Sequence, residues 1–424
     1  MKIAVVGAGP GGLVTLHTIQ QQILSKSSDC EVVCFEKKSD VGGEWFFANS
    51  DESSTYEDLR VNIPKVLCDL HYSDYPWPKE AQTFPTREEF FKYISSFADT
   101  FKLRRFIKFN TNVELIRKDK ETGKFIVSTR SATGETNEAS FDSVFLCTGQ
   151  HRKPVIPEFE QGNDFTGLAF HYHDMKDPKQ LHGKRVLVVG SSFGALDLHN
   201  ILAKKASSFY LVWRDHKPFW CNDSPVNCEG VNVKQGILKA AGNTVWFRDG
   251  TSAEIDAIVY ATGFEQVHPL SDELQVDFSG IPCFLPLYKH AVHPGEPKIF
   301  FVGKAIGHII PSSRLHAEMG CAILNGTVEL PNKQEMEAEI EAFKEKWLPE
   351  LAKMDFINYC PLLDLEVDLA DQISKMTGCK PIRPNTLKAY QALFRIMCSN
   401  LYTYRDKTLK PNWEELGPGE ELFE

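Results

Sequence analysis

The 424-residue sequence has no apolar stretch near the roughly 18–20 residues that cross a bilayer. Its tail, ending KPNWEELGPGEELFE, is polar and acidic, so no membrane anchor is expected there. It has no long basic run, and 47 Lys and Arg against 57 Asp and Glu leave a net charge of −10, which argues against a nucleic-acid partner. It has no C-x-x-C pair; the eleven cysteines are odd in number and scattered. Reduced thiols in the cytoplasm, with no metal or redox task, are the simplest reading. Low-complexity tracts are absent, and no repeat is visible beyond the two βαβ units described next. An export signal is not expected either, since a buried strand entering a turn explains the first residues better. The opening MKIAVVGAGPGG is apolar but broken by glycines, and the polar segment QQQILSKSSD follows it.

What is present points to nucleotide binding. Lys2 to Val6 is a short strand pattern running into Gly7-Ala8-Gly9-Pro10-Gly11-Gly12. A helical pattern follows from Leu13 to about Leu24, then a second strand, Glu31 to Phe35, ending in Glu36. In a G-x-G-x-x-G turn Gly7 makes the bend, Gly9 lets the backbone approach a pyrophosphate, and Gly12 permits close helix–strand packing. The helix N-terminus adds unpaired N–H groups and positive potential for phosphates. Glu36, 24 residues after Gly12, is placed to hydrogen-bond a ribose diol.

A second, less regular unit begins at Arg185 to Val189 and continues through Gly190-Ser191-Ser192-Phe193-Gly194-Ala195 into a helix expected from about Leu196 to Lys205. Ser192 and Ala195 replace two glycines but remain small. The next strand, Phe209 to Trp213, ends in Arg214 rather than an acid. A guanidinium clamps a 2′-phosphate that a carboxylate would repel. Glu36 therefore assigns free ribose hydroxyls to the first site, and Arg214 assigns NADPH to the second, with Lys217 a weaker candidate. Two further strands end in small-residue turns, Ser143 to Cys147 before Thr148-Gly149 and Ile255 to Tyr260 before Ala261-Thr262-Gly263. They mark crossings between units near residues 155 and 275.

Elsewhere the pattern is scaffold. Thr86-Arg-Glu-Glu89 is a capping box, followed by Phe90, Ile94, Phe97 and Phe101 at helical spacing. Residues 110–140 alternate like a hairpin that turns at Glu121-Thr-Gly123, and 334–347 form a charged helix. The expected architecture is α/β: two nested Rossmann-like dinucleotide-binding domains, the second, for NADPH, inserted into the first. Its parts are 1–157, 158–277 and 278–424.

Phe165-Thr-Gly167-Leu-Ala-Phe-His171-Tyr-His-Asp-Met175 resembles the F-x-G-x-x-x-H-x-x-x-Y/F fingerprint of the flavin-containing monooxygenases, with Met175 in place of the aromatic. Gly42-Gly43-Glu44-Trp45 resembles that family's G-G-x-W motif, and Leu59-Arg-Val-Asn62-Ile-Pro-Lys65 its active-site Asn segment. Tyr260-Ala-Thr-Gly263-Phe264 resembles its hinge, and Leu287-Tyr288-Lys289-His290 the opening of its C-terminal flavin segment. In length and turn sequence the chain is similar to short soluble members, the trimethylamine monooxygenases and the fungal and insect N-oxygenases. Pro311-Ser-Ser-Arg314-Leu-His316-Ala-Glu318-Met319 departs from the family's P-x-x-E-x-Q-A-R-W pattern.

The resemblance implies that NADPH reduces FAD and that the reduced flavin takes up O2 as a C4a-hydroperoxide. One oxygen then passes to an amine nitrogen or a sulfide sulfur of a small molecule. The cofactor carries the chemistry, so the protein's task is to exclude water and proton leakage. By the same resemblance Asn62 is the side chain nearest the oxygen, and His171 is structural rather than a base. Gly43, Glu44, Trp45, Thr148, Gly149, Thr262 and Gly263 join the glycine-turn residues as cofactor contacts. His171, His173 and Asp174 lack a distant partner motif, so a metal site is not expected. Self-association is left open. Alternatives are a Baeyer–Villiger, N-hydroxylating or halide-oxidising flavoenzyme of the same fold. More remote are a pyridine-nucleotide disulfide reductase, for which the cysteine pair is missing, and a non-catalytic nucleotide sensor.

Overall fold

β1 (Lys2–Val6) is fully buried at Ile3, Ala4 and Val5, as a continuous apolar run requires of a parallel strand covered on both faces. The computed structural model describes residues 1–47, 53, 55–70, 75–151, 153–213, 229–278, 286–304, 309–353, 360–382, 385–416 and 421–424. From β1 the chain turns into α1 (Pro10–Ile19), with Gly9 as N-cap and Pro10 in the first turn, where a missing N–H costs nothing. Gln20–Leu24 continue it as one stretch of π-type winding. Every residue of α1 from Gly12 to Ile19 is buried, so it is a core helix and not an amphipathic one. β2 (Glu31–Phe35) then pairs parallel with β1, Ile3 opposite Val32 and Val6 opposite Phe35.

The capping box forms as expected. The Glu89 N–H donates to Thr86 Oγ1 at 3.1 Å and the Thr86 N–H donates to Glu89 Oε2 at 2.8 Å, opening α2 (Arg87–Thr100). Phe90, Ile94 and Phe97 are fully buried. Burying each such side chain contributes about 1.5–3 kcal/mol. The expected hairpin over 110–140 is part of a three-stranded antiparallel sheet, 111–118, 125–131 and 136–141. The third strand is mostly exposed and lacks apolar alternation, which is why the pattern does not reveal it. β3 (Ser143–Leu146) lies on the other side of β1, parallel to it.

The chain then leaves this unit through 153–154 and comes back through 264–265, and the two crossings pair antiparallel, Phe264 opposite Pro154. Between them lies a second parallel sheet, with β4 (Leu168–His171), β5 (Arg185–Val189), α3 (Phe193–Leu202), β6 (Ser208–Trp213) and β7 (Ala257–Tyr260). The strand order is β4, β7, β5, β6 and then the edge strand 231–235. Afterwards β8 (Ile299–Phe301) pairs parallel with β3, Ile299 opposite Val144, and completes the first sheet. A strand arriving after the whole second unit and joining the first sheet makes that unit an insertion. The architecture is two nested Rossmann-type units, as the two glycine turns predict.

α4 (Ile309–Leu324) packs against α1, and α5 (Thr386–Ser399) covers the second unit, where Tyr390 and Leu393 share an apolar cluster with Leu196 and Leu198 of α3. Met175, in the position the family fingerprint gives to an aromatic, is fully buried in that cluster and serves as core. In the divergent 311–319 stretch, Arg314 is buried and donates to the Lys380 carbonyl, while Glu318 accepts from the Gln22 amide. These two residues tie α4 to its neighbours. Among the described residues no helix is long and apolar enough to cross a membrane.

Burial penalises the imidazolium form of three histidines. It pushes His171 and His316 down to about 4, and His290 well below the ordinary 6.5. These groups stay neutral in the fold while an unfolded chain protonates them near 6.5. Below that pH the unfolded state binds more protons, so stability is expected to fall as pH drops from about 6.5 towards 4. Thermal midpoints recorded from about pH 7.5 down to 4.5 check this; a flat profile contradicts it.

Candidate active site

One cavity of about 980 Å³ opens against both glycine turns. Gly7, Gly9, Glu36, Gly43, Glu44, Trp45, Asn62, Thr148 and Gly149 line it from the first unit, and Ser192 and Gly263 from the second.

The first turn is built around close approach. Gly7 has φ +101°, and a Cβ there would lie 2.5 Å from the Cys147 carbonyl oxygen. On Gly12 a Cβ would lie 1.9 Å from the carbonyl oxygen of Gly7, so Gly12 sits beneath the turn and not on the cavity wall. Gly9 faces the cavity with its nearest neighbour, Gly43 Cα, 3.4 Å from an added Cβ. The Gly42–Trp45 segment is fastened to this turn. The Gly42 N–H donates to the Ala8 carbonyl at 3.0 Å, and Lys38 Nζ donates to the Gly43 carbonyl at 2.9 Å. Trp45 stands edge-on to Phe90 at 4.5 Å between ring centres.

Glu36 is buried, and its carboxylate accepts the backbone N–H of Ala8 at 2.6 Å and of Lys38 at 2.9 Å. The acid at the end of β2 is thereby pinned beside the glycine turn with its side chain on the cavity. Thr148 hydrogen-bonds His268 Nδ1 at 3.2 Å. These features fit a dinucleotide: a bare-backbone cradle that any Cβ would fill, a helix N-terminus, and a fixed carboxylate.

The second turn repeats the construction with small side chains. Gly190 has φ +144°, and a Cβ on it would lie 2.2 Å from the Ala261 carbonyl oxygen. Gly190, Ser191, Ala195 and Thr262 are not on the cavity wall; Ala195 is fully buried, and the Thr262 hydroxyl donates to the Val155 carbonyl across the crossing. Ser192, in extended backbone, is the N-cap of α3, so the helix starts at Phe193 rather than Leu196. Arg214 and Lys217 lie outside the described residues.

Asn62 is half-buried in a segment clamped to residues 83–86. The Val61 N–H donates to the Pro85 carbonyl at 2.8 Å, the Lys65 N–H to the Thr83 carbonyl at 2.7 Å, and Arg60 pairs with Thr86. His171 ends β4; its Nδ1 accepts the His173 N–H at 3.2 Å and its ring lies 4.9 Å from that of Phe264.

Burial holds the shifted groups of the wall uncharged. It pushes the Cys147 thiol up to about 12 and raises Cys68. Tyr172 is raised by burial first, then by Glu44 and Asp197. None of these three is a ready proton donor at neutral pH. Motif reading did not anticipate Tyr172, Phe193, Asp197, Tyr390, Leu393 or Phe394, all of which line the cavity. The spacing of 390, 393 and 394 shows a helix face, but nothing in it shows what that face covers.

A family profile described as flavin-binding monooxygenase-like matches residues 1–222 and 214–388. The chain belongs to this family. Trimethylamine monooxygenase of Pelagibacter ubique (strain HTCC1002) is 28% identical over 436 residues, covering 98% of this chain and 95% of that relative. Among solved structures, Tmm from Pelagibacter sp. strain HTCC7211 superposes with a TM-score of 0.85 at 24% identity, covering 97% of this chain and 94% of that one. S-allyl-L-cysteine S-oxygenase from Allium sativum gives 0.81 at 24%, covering 96% and 95%. At these identities the structures speak to the shared fold. As a flavin-binding monooxygenase, the protein presents its Gly7–Gly12 turn and Glu36 in the first unit and its Gly190–Ala195 turn in the second.

Proposed function

We propose that the protein uses NADPH and O2 to oxygenate an amine nitrogen or a sulfide sulfur on a small molecule. The observation that carries this is the single cavity joining both glycine turns, on which Asn62 also stands. Bound FAD supplies electron transfer and oxygen activation. The chain supplies binding and exclusion. Gly7, Gly9, Glu36, Gly43, Glu44, Trp45, Thr148 and Gly149 hold the flavin dinucleotide, with Gly12 beneath the turn keeping the helix close to it. Ser192, Gly263 and Arg214 hold the nicotinamide one, and Gly190, Ser191, Ala195 and Thr262 shape the turns behind them. Asn62 offers an amide that donates and accepts hydrogen bonds without releasing a proton. Burial shifts Cys68, Cys147 and Tyr172 upward, so none of these three releases a proton into the cavity at neutral pH. The proposed division is 1–157 and 278–424 for FAD and 158–277 for NADPH, and free thiols at seven of the cysteines suit a cytoplasmic setting.

The direct test is product analysis. With NADPH, O2 and a tertiary amine or thioether, oxygenated product should form in step with NADPH consumed. NADPH loss matched only by hydrogen peroxide would sink the reading. Two substitutions probe the parts. Arg214→Ala is expected to raise the Michaelis constant for NADPH by about tenfold or more and to leave that for NADH nearly unchanged, because a guanidinium–phosphate pair is lost. Equal effects on both nucleotides would refute the 2′-phosphate role. Asn62→Ala is expected to retain flavin and to oxidise NADPH while losing oxygenated product; full product formation would remove Asn62 from the site.

A further inference from the structure

The chain passes between its two units twice, and one buried cation touches both passages. Lys304 stands just beyond β8 and is 1% exposed. Its ammonium donates to the Gly149 carbonyl at 3.4 Å, where the chain leaves the first unit. It also donates to Gln266 Oε1 at 2.7 Å, where the chain has come back. The Gln266 amide donates in turn to the Gln150 carbonyl at 3.4 Å, and the Gln150 amide to the Gly303 carbonyl at 2.8 Å. Gly303 immediately precedes Lys304, so these bonds close a ring through both passages and the end of β8. The ring is anchored from behind, since the Gly303 N–H donates to His316 Nδ1 of α4 at 3.3 Å. Lys304 and His316 share a small pocket with the buried Glu366, which places a carboxylate in the same interior. Gly149, Gln150 and Gly303 also line the main cavity, so the ring lies directly behind the wall beside both glycine turns.

We propose that Lys304 is a positioning residue that sets the register of the nicotinamide-carrying unit on the flavin-carrying one. The inference rests on the NADPH reading above. The two passages are already tied to each other by the 153–154 and 264–265 pairing and by Thr148 with His268 at 3.2 Å. Lys304 adds something different: it fastens the paired passages to the last strand of the first sheet. An ammonium withdrawn from water is costly unless it is hydrogen-bonded, and charge-assisted bonds fix direction as well as distance. Hydride transfer is sensitive to that register. NADPH + FAD + H⁺ gives NADP⁺ + FADH2; a nicotinamide C–H bond breaks, a flavin N–H bond forms, and the hydride carries both electrons. Such a step needs the reacting atoms about 3–3.5 Å apart, and a misplacement of about 1 Å costs roughly a hundredfold.

The test uses the flavin-loaded full chain, with Lys304→Met and Gln266→Met beside the wild type. Under anaerobic stopped flow, Lys304→Met is expected to keep its flavin but to bleach at least about tenfold more slowly at saturating NADPH, with NADPH affinity within about threefold. Reoxidation of the dithionite-reduced variant by O2 should be unchanged, because that step needs only the first unit. Gln266→Met should slow bleaching less, and the double variant should be no slower than Lys304→Met alone. Hydrogen exchange should quicken over 149–156 and 262–268 and stay unchanged in β1 and β5. Should Lys304→Met not fold, Gln266→Met carries the same comparison. Wild-type bleaching rates in the variants, additive effects in the double variant, or slowed bleaching with unaltered exchange over the passages would each overturn the proposal. Failure of NADPH to bleach the wild type brings down the NADPH reading instead, and this inference with it.

Discussion

Gly12→Ala is expected to strip the protein of flavin and to lower its yield of folded material. A Cβ at this position falls 1.9 Å from the Gly7 carbonyl oxygen and 2.8 Å from its carbonyl carbon. Neither atom can retreat. The Gly7 N–H is tied to the Phe35 carbonyl at 2.8 Å, and β1 is locked between β2 and β3. The substitution must therefore push α1 away from the strand it packs on, opening the cradle and disturbing a helix whose residues from Gly12 onward are all buried. Gly9→Ala makes the informative contrast. Its added Cβ meets nothing closer than Gly43 Cα at 3.4 Å, so the fold should survive. Because Gly9 is on the cavity wall, the methyl group stands where a dinucleotide backbone must approach, and flavin affinity alone should fall. Flavin absorbance per mole of protein after gel filtration, read beside circular dichroism, separates the two. Full flavin content in Gly12→Ala would refute the cradle.

Arg405→Met is expected to destabilise the protein by about 3–5 kcal/mol, because it leaves the Asp197 carboxylate without its counter-ion inside the structure. Arg405 is 7% exposed and the Asp197 side chain 17% exposed, so only the cavity side of Asp197 meets water. Burial disfavours the guanidinium, but Asp197, followed by Tyr404 and Tyr56, raises the Arg405 pKa above its ordinary value and keeps it charged. The pair joins α3 of the second unit to the turn at 404–406, while Arg60 holds the same turn from the first unit. Denaturant midpoints measure the loss. The double replacement Asp197→Leu with Arg405→Met is expected to recover much of it, since removing both charges removes the uncompensated one. A single variant as stable as the wild type would contradict the account.

The legible parts of the molecule were those governed by local rules. Both βαβ units announce themselves because parallel strands are apolar throughout, their turns need glycine or serine, and the first unit's second strand ends at Glu36. The Thr86 capping box is equally local. What stayed hidden depends on contacts between distant segments. Arg405 and Asp197 are 208 residues apart, and neither residue's neighbours in sequence point to the other. The α5 face is an ordinary amphipathic pattern until the fold shows that Phe193 and the Asn62 segment complete its cluster. The edge strand at 136–141 eluded the pattern for a different reason: with both faces largely solvated it carries no hydrophobic period. Met175 looked like a departure at a functional motif, yet its burial in the second unit's core makes it an exchange of one large apolar side chain for another.

The most direct test of the central claim is a two-step flavin measurement. The flavin-loaded protein is reduced with NADPH in the absence of air, mixed with oxygenated buffer, and followed by stopped-flow absorbance with and without methyl phenyl sulfide. The account predicts bleaching of the flavin by NADPH. On oxygen it then predicts a transient distinct from both reduced and oxidised flavin, lasting seconds or longer alone and discharged faster by the acceptor. Immediate return to oxidised flavin with matching hydrogen peroxide, unaffected by the acceptor, would contradict it.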